Sequence, residues 1–369
     1  MEGELKNLIK VWLIVLASLC YTYFIASKIP KGKLRLLSLI PIFFLFTILP
    51  LSHTTVLPTG ITAFFITWLA NFKLILFSFG LGPLSSDPTM SLPLFISIAC
   101  FPIKIKQNDK YPSHQNTQKH INSSPILKAP PKLPLNFPTK VLLFVLLVAA
   151  IDYKHVHPKI VLGSYCCLLY FLVDIVLGLC NAIVRATLGI ELELPSDEPY
   201  FSTSLQDFWG RRWNLMVTNI LRHTIYKPIR SISETVLVKQ QKQKWAPLPA
   251  VLAAFIVSGL MHELIFFYVT RVNPTWEVTC FFVLHGVCLV VELWVKNVLL
   301  ARRCWLHWAV AGPLTIGFVV VTANWLFLPP LVRNGADIKA IEECKVVMKL
   351  LKDKILWTFE KFVIGIINV

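Results

Sequence analysis

The sequence predicts an all-α fold: a polytopic transmembrane helical bundle of about eight spans, with interfacial or re-entrant helices on its cytosolic side. Three observations predict it. Hydrophobic residues make up 55% of the 369 positions and charged residues only 15%, whereas a soluble domain carries about 25% charged residues. Apolar runs recur from the N-terminus almost to the C-terminus, and about 20 helical residues suffice to cross a hydrocarbon layer. The formal charge of +16 is gathered in short basic blocks between those runs. That is the pattern of a positive-inside bias, not of a nucleic-acid surface with interleaved aromatics, so no nucleic-acid partner is expected.

Spans are predicted at 8–27, 36–57, 60–80, 139–152 (short), 159–181, 246–270, 276–297 and 304–328, each bounded by Pro, Gly or charged residues. The first reads as an anchor, because it outruns a signal-peptide core and ends in Ile25-Ala26-Ser27-Lys28 without a cleavage site. Lys28, Lys31, Lys33 and Arg35 place the first loop in the cytosol, whereas the second, around Ser52-His53-Thr54, has no Lys or Arg. The N-terminus is then lumenal. Carried forward, this puts 104–138, 182–245 and Lys296, Arg302 and Arg303 on the cytosolic side, provided that 92–103 dips in or lies at the interface. The chain reads as one membrane domain over 1–369.

Residues 104–138 are rich in Lys, Pro, Ser, Asn and Gln and read as a flexible cytosolic loop that cannot bury enough apolar surface to order itself. A cytosolic position would leave its sequon, Asn122-Ser123-Ser124, unused. The tail 337–356 reads as an amphipathic helix before a final apolar stretch, 357–369, too short for a confident span. Most of the nine cysteines sit within apolar runs without a CxxC and read as packing residues.

Two constellations carry chemistry. In Ser258-Gly259-Leu260-Met261-His262-Glu263 an ionisable pair stands inside a predicted span, where a charge costs at least ~2.5 kcal/mol on insertion scales, so a functional role is the default expectation. His262 lies about 18 Å along the helix from Ala250, near mid-bilayer. Neutral imidazole is a good general base near pH 7; the competing assignment is a histidine bonded to a neighbouring helix. Adjacent helical residues point about 100° apart, so Glu263 leaves His262's face and is expected to orient another helix or line a polar channel.

The second is Ser204-Leu205-Gln206-Asp207-Phe208-Trp209-Gly210-Arg211-Arg212-Trp213-Asn214, in the cytosolic or interfacial segment 182–245. Leu205, Phe208, Trp209 and Trp213 share helical spacing, which by itself predicts a membrane-surface helix. Asn214 can donate and accept hydrogen bonds to a substrate carbonyl or hydroxyl. Trp209, Arg211, Arg212, Trp213 and Glu263 are further candidates for substrate contact. The basic stretch from Arg211 to Lys244 would attract phosphates of a coenzyme A thioester or anionic lipid headgroups, although positive-inside bias explains it equally well.

Other chemistries lack their residues. There is no HxxxH or HxxHH box for a membrane di-iron enzyme, His155-Val156-His157 is poorly spaced for ligation, and no metal is expected. No G-x-S-x-G elbow, P-loop or dinucleotide fingerprint occurs. A transporter would spread its polar residues over several spans, whereas here they concentrate at 258–263.

The two motifs together resemble the plant wax synthase family, which is related to the membrane-bound O-acyltransferases. The similarity extends to Ile61-Thr62-Ala63-Phe64-Phe65-Ile66, Trp68-Leu69-Ala70-Asn71-Phe72-Lys73 and Gly80-Leu81-Gly82-Pro83-Leu84. The resemblance implies transfer of a fatty acyl group from acyl-CoA to a lipid alcohol, a fatty alcohol or a sterol, in the endoplasmic reticulum membrane. It implies His262 as the catalytic residue with Asn214 as its partner, and acyl-CoA as co-substrate without a further cofactor.

Overall fold

The computed structural model describes residues 2–87, 89–106, 135–151, 158–238, 245–302 and 307–367. Among them the apolar runs become α1 (Glu2–Phe24), α2 (Lys33–Ile48), α3 (Val56–Ser78), α4 (Leu92–Cys100), α5 (Phe137–Ile151) and α6 (Pro158–Leu188). Two shorter helices, α7 (Leu215–Leu221) and α8 (Lys227–Val238), precede α9 (Pro247–Thr270), α10 (Glu277–Arg302), α11 (Trp308–Arg333) and α12 (Ala336–Ile367). The described residues contain no strand, only an isolated bridge between Ile105 and Leu192.

Seven of the predicted spans are helices long and apolar enough to cross a membrane. The one predicted at 139–152 is the 15-residue α5, about 22 Å long and short of a ~30 Å hydrocarbon core. α4 has nine residues and cannot cross. It dips into the bundle: Met90 at its entry accepts a hydrogen bond from the Tyr23 hydroxyl at 2.7 Å, and Phe101 at its exit packs on Trp12 of mid-α1. The buried Lys73 ammonium donates to the carbonyls of Ile98 and Phe101 at 2.6 and 2.7 Å, placing a cation where the α4 macrodipole is negative.

Helix ends gather at two poles. At one, the Glu4 carboxylate accepts from Thr54 and Thr55, Arg271 donates to the His53 carbonyl, and Glu343 accepts the Val56 and Leu57 N–H groups at 2.7 and 2.8 Å. At the other, Arg35 donates to the carbonyls of Ser27, Ile29 and Phe77, Lys104 pairs with Glu193, and Lys296 pairs with Glu292. The basic blocks share this second pole, as alternation of the spans requires.

α3 is the central helix, with 72% of its most apolar stretch buried against 28–33% for the other spans. Its Ile66, Leu69 and Leu74 form the main core with Leu19 of α1 and Leu39 and Phe46 of α2. A second core joins Phe266 of α9 to Val278, Phe281 and Phe282 of α10. α9 and α10 lie close because Gly259 faces Thr279, where a Cβ would come within 3.0 Å of the Thr279 Cα.

One expectation is extended and another corrected. The tail is one continuous 32-residue helix, α12, because no breaker separates its amphipathic and apolar halves. The stripe at 205–213 is not a surface helix. Ser204 caps a single turn, Leu205–Asp207, a π-helical turn follows at Phe208–Arg212, and the chain breaks before α7. The stripe turns inward because Trp209 packs on Phe255, Phe281 and Phe282 and Phe208 stacks on Trp213. The proposed loop at 104–138 and its sequon lie almost wholly outside the described residues.

Candidate active site

His262 stands 15 residues into α9 and eight before its end, about 22 and 12 Å along the axis. Its Nδ1 lies 2.8 Å from the Ser258 carbonyl one turn back. A carbonyl oxygen only accepts, so Nδ1 carries the proton and Nε2 keeps the lone pair. The ring is clamped between aromatic groups: Phe282 stacks on it at 4.4 Å, and Trp68 and Phe327 meet it edge-on at 5.0 and 5.5 Å. Such packing fixes the ring plane and leaves half-buried imidazole facing a cavity.

Asn214 lies two residues beyond the π-helical turn. It adopts a left-handed conformation, φ 38°, which asparagine tolerates better than most residues, and caps α7 by accepting the Val217 N–H at its Oδ1, 3.2 Å away. Backbone pairing holds it there: Leu215 N–H donates to Pro195 and Asp197 N–H to Arg212, at 2.9 and 3.0 Å. With Oδ1 committed to the cap, Nδ2 remains as the donor for a ligand.

Both residues line one cavity of about 1010 Å³. Its walls are mainly apolar side chains of α3, α5, α6, α9 and α10. At one mouth stand Gln206, Arg222, Tyr226, Lys227, Arg230 and Glu234; at the other end α12 contributes Asp337, Ile341 and Cys344. Four π-helical turns, Ala63–Ala70, Phe208–Arg212, Arg222–Tyr226 and Ala323–Phe327, each supply lining residues, among them Trp68, Trp209, Arg222 and Phe327. Such irregular turns are frequent at functional sites.

Of the other sequence candidates, Trp209 and Trp213 line the cavity, whereas Arg211, Arg212 and Glu263 do not. Arg211 is exposed. Arg212 folds back onto Asp207 at 2.8 Å and donates to the Asp197 carbonyl, bracing the loop that ends in Asn214. Glu263 is buried about 100° around α9 from His262, off the cavity, where its carboxylate accepts the Thr279 N–H at 3.0 Å. It satisfies a backbone donor in the first turn of α10 and so orients a neighbouring helix.

Sequence reasoning passed over His285. It is fully buried in α10, accepts the Trp209 indole N–H at Nδ1 (3.1 Å) and donates from Nε2 to the Thr322 hydroxyl (2.8 Å). This chain fixes Trp209, which packs on the Phe282 that stacks on His262. A lone histidine in an apolar run was the available signal, the same one that marks His262.

The sequence profile of the membrane bound O-acyl transferase family matches residues 195–284, a stretch holding both Asn214 and His262. A long-chain-alcohol O-fatty-acyltransferase of Simmondsia chinensis is 44% identical over 96% of this chain and 98% of its own length. A probable long-chain-alcohol O-fatty-acyltransferase of Arabidopsis thaliana is 44% identical over 95% and 98%, and an acyl-CoA–sterol O-acyltransferase of the same plant is 43% identical over 92% and 94%. Identity of this extent covers the whole bundle, cavity walls included: the chain belongs to the plant long-chain-alcohol O-fatty-acyltransferase family of membrane-bound O-acyltransferases.

Proposed function

We propose that the protein transfers a fatty acyl group from acyl-CoA to the hydroxyl of a long-chain alcohol, with His262 as general base and Asn214 as hydrogen-bond donor. The observation that carries this reading is that the free Nε2 side of His262 and the Asn214 amide line one cavity, apolar for its length and basic at one mouth. The alcohol oxygen attacks the thioester carbonyl while Nε2 takes its proton. The Asn214 Nδ2–H groups stabilise the oxyanion, the carbon–sulfur bond breaks, and the imidazolium returns the proton to the departing thiolate. No covalent acyl-enzyme is needed.

Arg222, Lys227 and Arg230 suit the phosphates of coenzyme A, which approaches from the cytosol, while both aliphatic chains occupy the apolar interior. The endoplasmic reticulum membrane is the proposed location, with the basic pole cytosolic. A second acceptor class, sterols, is favoured by the 43% identity to a sterol acyltransferase.

Microsomes from cells expressing the chain, supplied with labelled acyl-CoA and a panel of fatty alcohols and sterols, should form ester. His262→Ala should abolish it in protein of normal abundance. Unchanged ester formation by that variant removes His262 from the mechanism, and the panel itself ranks the two acceptor classes.

A further inference from the structure

Asp174 is the one acidic residue in the apolar run Val161–Leu188, and it is buried with the Lys140 of α5. Charges in such a setting are costly and mark function. The Lys140 ammonium donates to Asp174 Oδ2 at 3.0 Å and to Glu198 Oε1 at 3.2 Å, and the Ser196 hydroxyl donates to Asp174 Oδ1. None of the four side chains lines the large cavity.

Their position relative to Asn214 gives them a role. Residues 195–197, anchored through Ser196, pair by backbone hydrogen bonds with 212–215. A residue in the left-handed region follows the first segment and another lies within the second: Glu198 at φ 46° and Asn214 at φ 38°. Each such conformation costs on the order of 1–2 kcal/mol and persists only where its surroundings impose it. Asp174, Ser196, Trp213 and Asn214 also line one small void of about 10 Å³, room for no more than one water.

We infer that Asp174, held by the Lys140 ammonium that also pairs with Glu198, is a positioning residue for Asn214: through Ser196 it fixes the paired segments that aim the Asn214 amide into the cavity. The inference rests on the role given to Asn214 above. It also ties the α5–α6 wall of the cavity to the catalytic loop, so that a change in that wall is felt at Asn214.

The test uses the full-length protein in microsomes and, for melting, in detergent. Asp174→Asn keeps the shape and an acceptor for Ser196 but removes the charge that Lys140 bonds. Per folded enzyme, turnover should fall at least ~10-fold, since small displacements of a catalytic group are costly, while KM for acyl-CoA changes less than about threefold. Ser196→Ala should lower turnover in the same sense by a smaller factor. Glu193→Gln, on the same segment but in an exposed pair with Lys104, should change neither constant. Wild-type turnover in folded Asp174→Asn, or a loss residing in KM, overturns the inference. Should that variant fail to fold, wild-type turnover in Ser196→Ala overturns it. Absence of ester from the wild-type protein instead defeats the functional reading itself.

Discussion

The indole N–H of Trp209 donates to Nδ1 of His285 at 3.1 Å, so a motif tryptophan at the end of one connecting segment is held by a histidine in the middle of α10. Beyond it the line continues through Phe282 to His262. The histidines of α9 and α10 therefore have different environments: His262 presents a free nitrogen to the cavity, and His285 has both nitrogens committed. His285→Ala should orphan the buried Trp209 donor, while the Thr322 hydroxyl keeps its bond to the Phe318 carbonyl, and should destabilise the protein by about 1–3 kcal/mol. It should lower turnover without abolishing it, in contrast to His262→Ala. Thermal melting and ester formation on the same preparations check both halves of the contrast.

Asn214 combines a cap, a left-handed backbone and an amide donor, and substitutions separate them. Asn214→Gly accepts φ 38° without strain, and glycine at an N-cap costs only a few tenths of a kcal/mol. It should melt close to the wild type yet lose turnover by roughly 10²-fold or more, the scale of removing one oxyanion donor. Asn214→Ala adds backbone strain and should also melt lower. Near-normal turnover in the glycine variant would remove the amide from the chemistry.

Glu263, one residue from His262, is expected to be a stability residue. Glu263→Ala leaves the Thr279 N–H without its acceptor and should cost about 1–3 kcal/mol, with KM for acyl-CoA unchanged in the protein that folds. Kinetics normalised to folded enzyme distinguish this from substrate contact.

The contact of α9 with α10 depends on Gly259. Gly259→Ala presses a methyl against Thr279 and should destabilise by about 1–3 kcal/mol, as overpacking does. Gly317, in α11, has open space at its Cβ position, and Gly317→Ala should be neutral or stabilising by up to about 1 kcal/mol. Paired melting curves in one detergent decide it.

At the basic mouth, Lys227→Glu and Arg222→Glu should raise KM for acyl-CoA by about fivefold or more per residue, near 1 kcal/mol per charge, with turnover retained. The wild-type KM should itself rise with ionic strength as the coenzyme phosphates are screened. A KM independent of both salt and these substitutions would place the coenzyme elsewhere.

The parts legible in the sequence were those encoded locally. Seven of the eight proposed spans, and a segment at 92–103 that does not cross, followed from run length and loop charge, because in a bilayer the backbone must satisfy itself and helix is the form that does so. His262 stood out as a titratable group in an apolar run, and Asn214 through its motif. The same apolar-run signal marked His285 and Asp174, but neither had a motif beside it. Lys140 meets Asp174 and Glu198 from 34 and 58 positions away, a pairing that no periodicity records.

The aromatic stripe at 205–213 shows where local reading fails. Its spacing fits a surface helix, yet the backbone is broken by a π-helical turn and a left-handed residue, and the stripe packs inward. By itself the sequence determined a helical membrane bundle, an imidazole set deep within it and, through its motifs, a family. Only the tertiary structure decided that Asn214 shares a cavity with that imidazole, that Arg212 and Glu263 bond to the protein away from that cavity, and that a buried charge cluster stands behind the Asn214 loop. The reason is physical: helix and span are properties of neighbouring residues, whereas a cavity and the strained loop that serves it exist only once distant segments have paired.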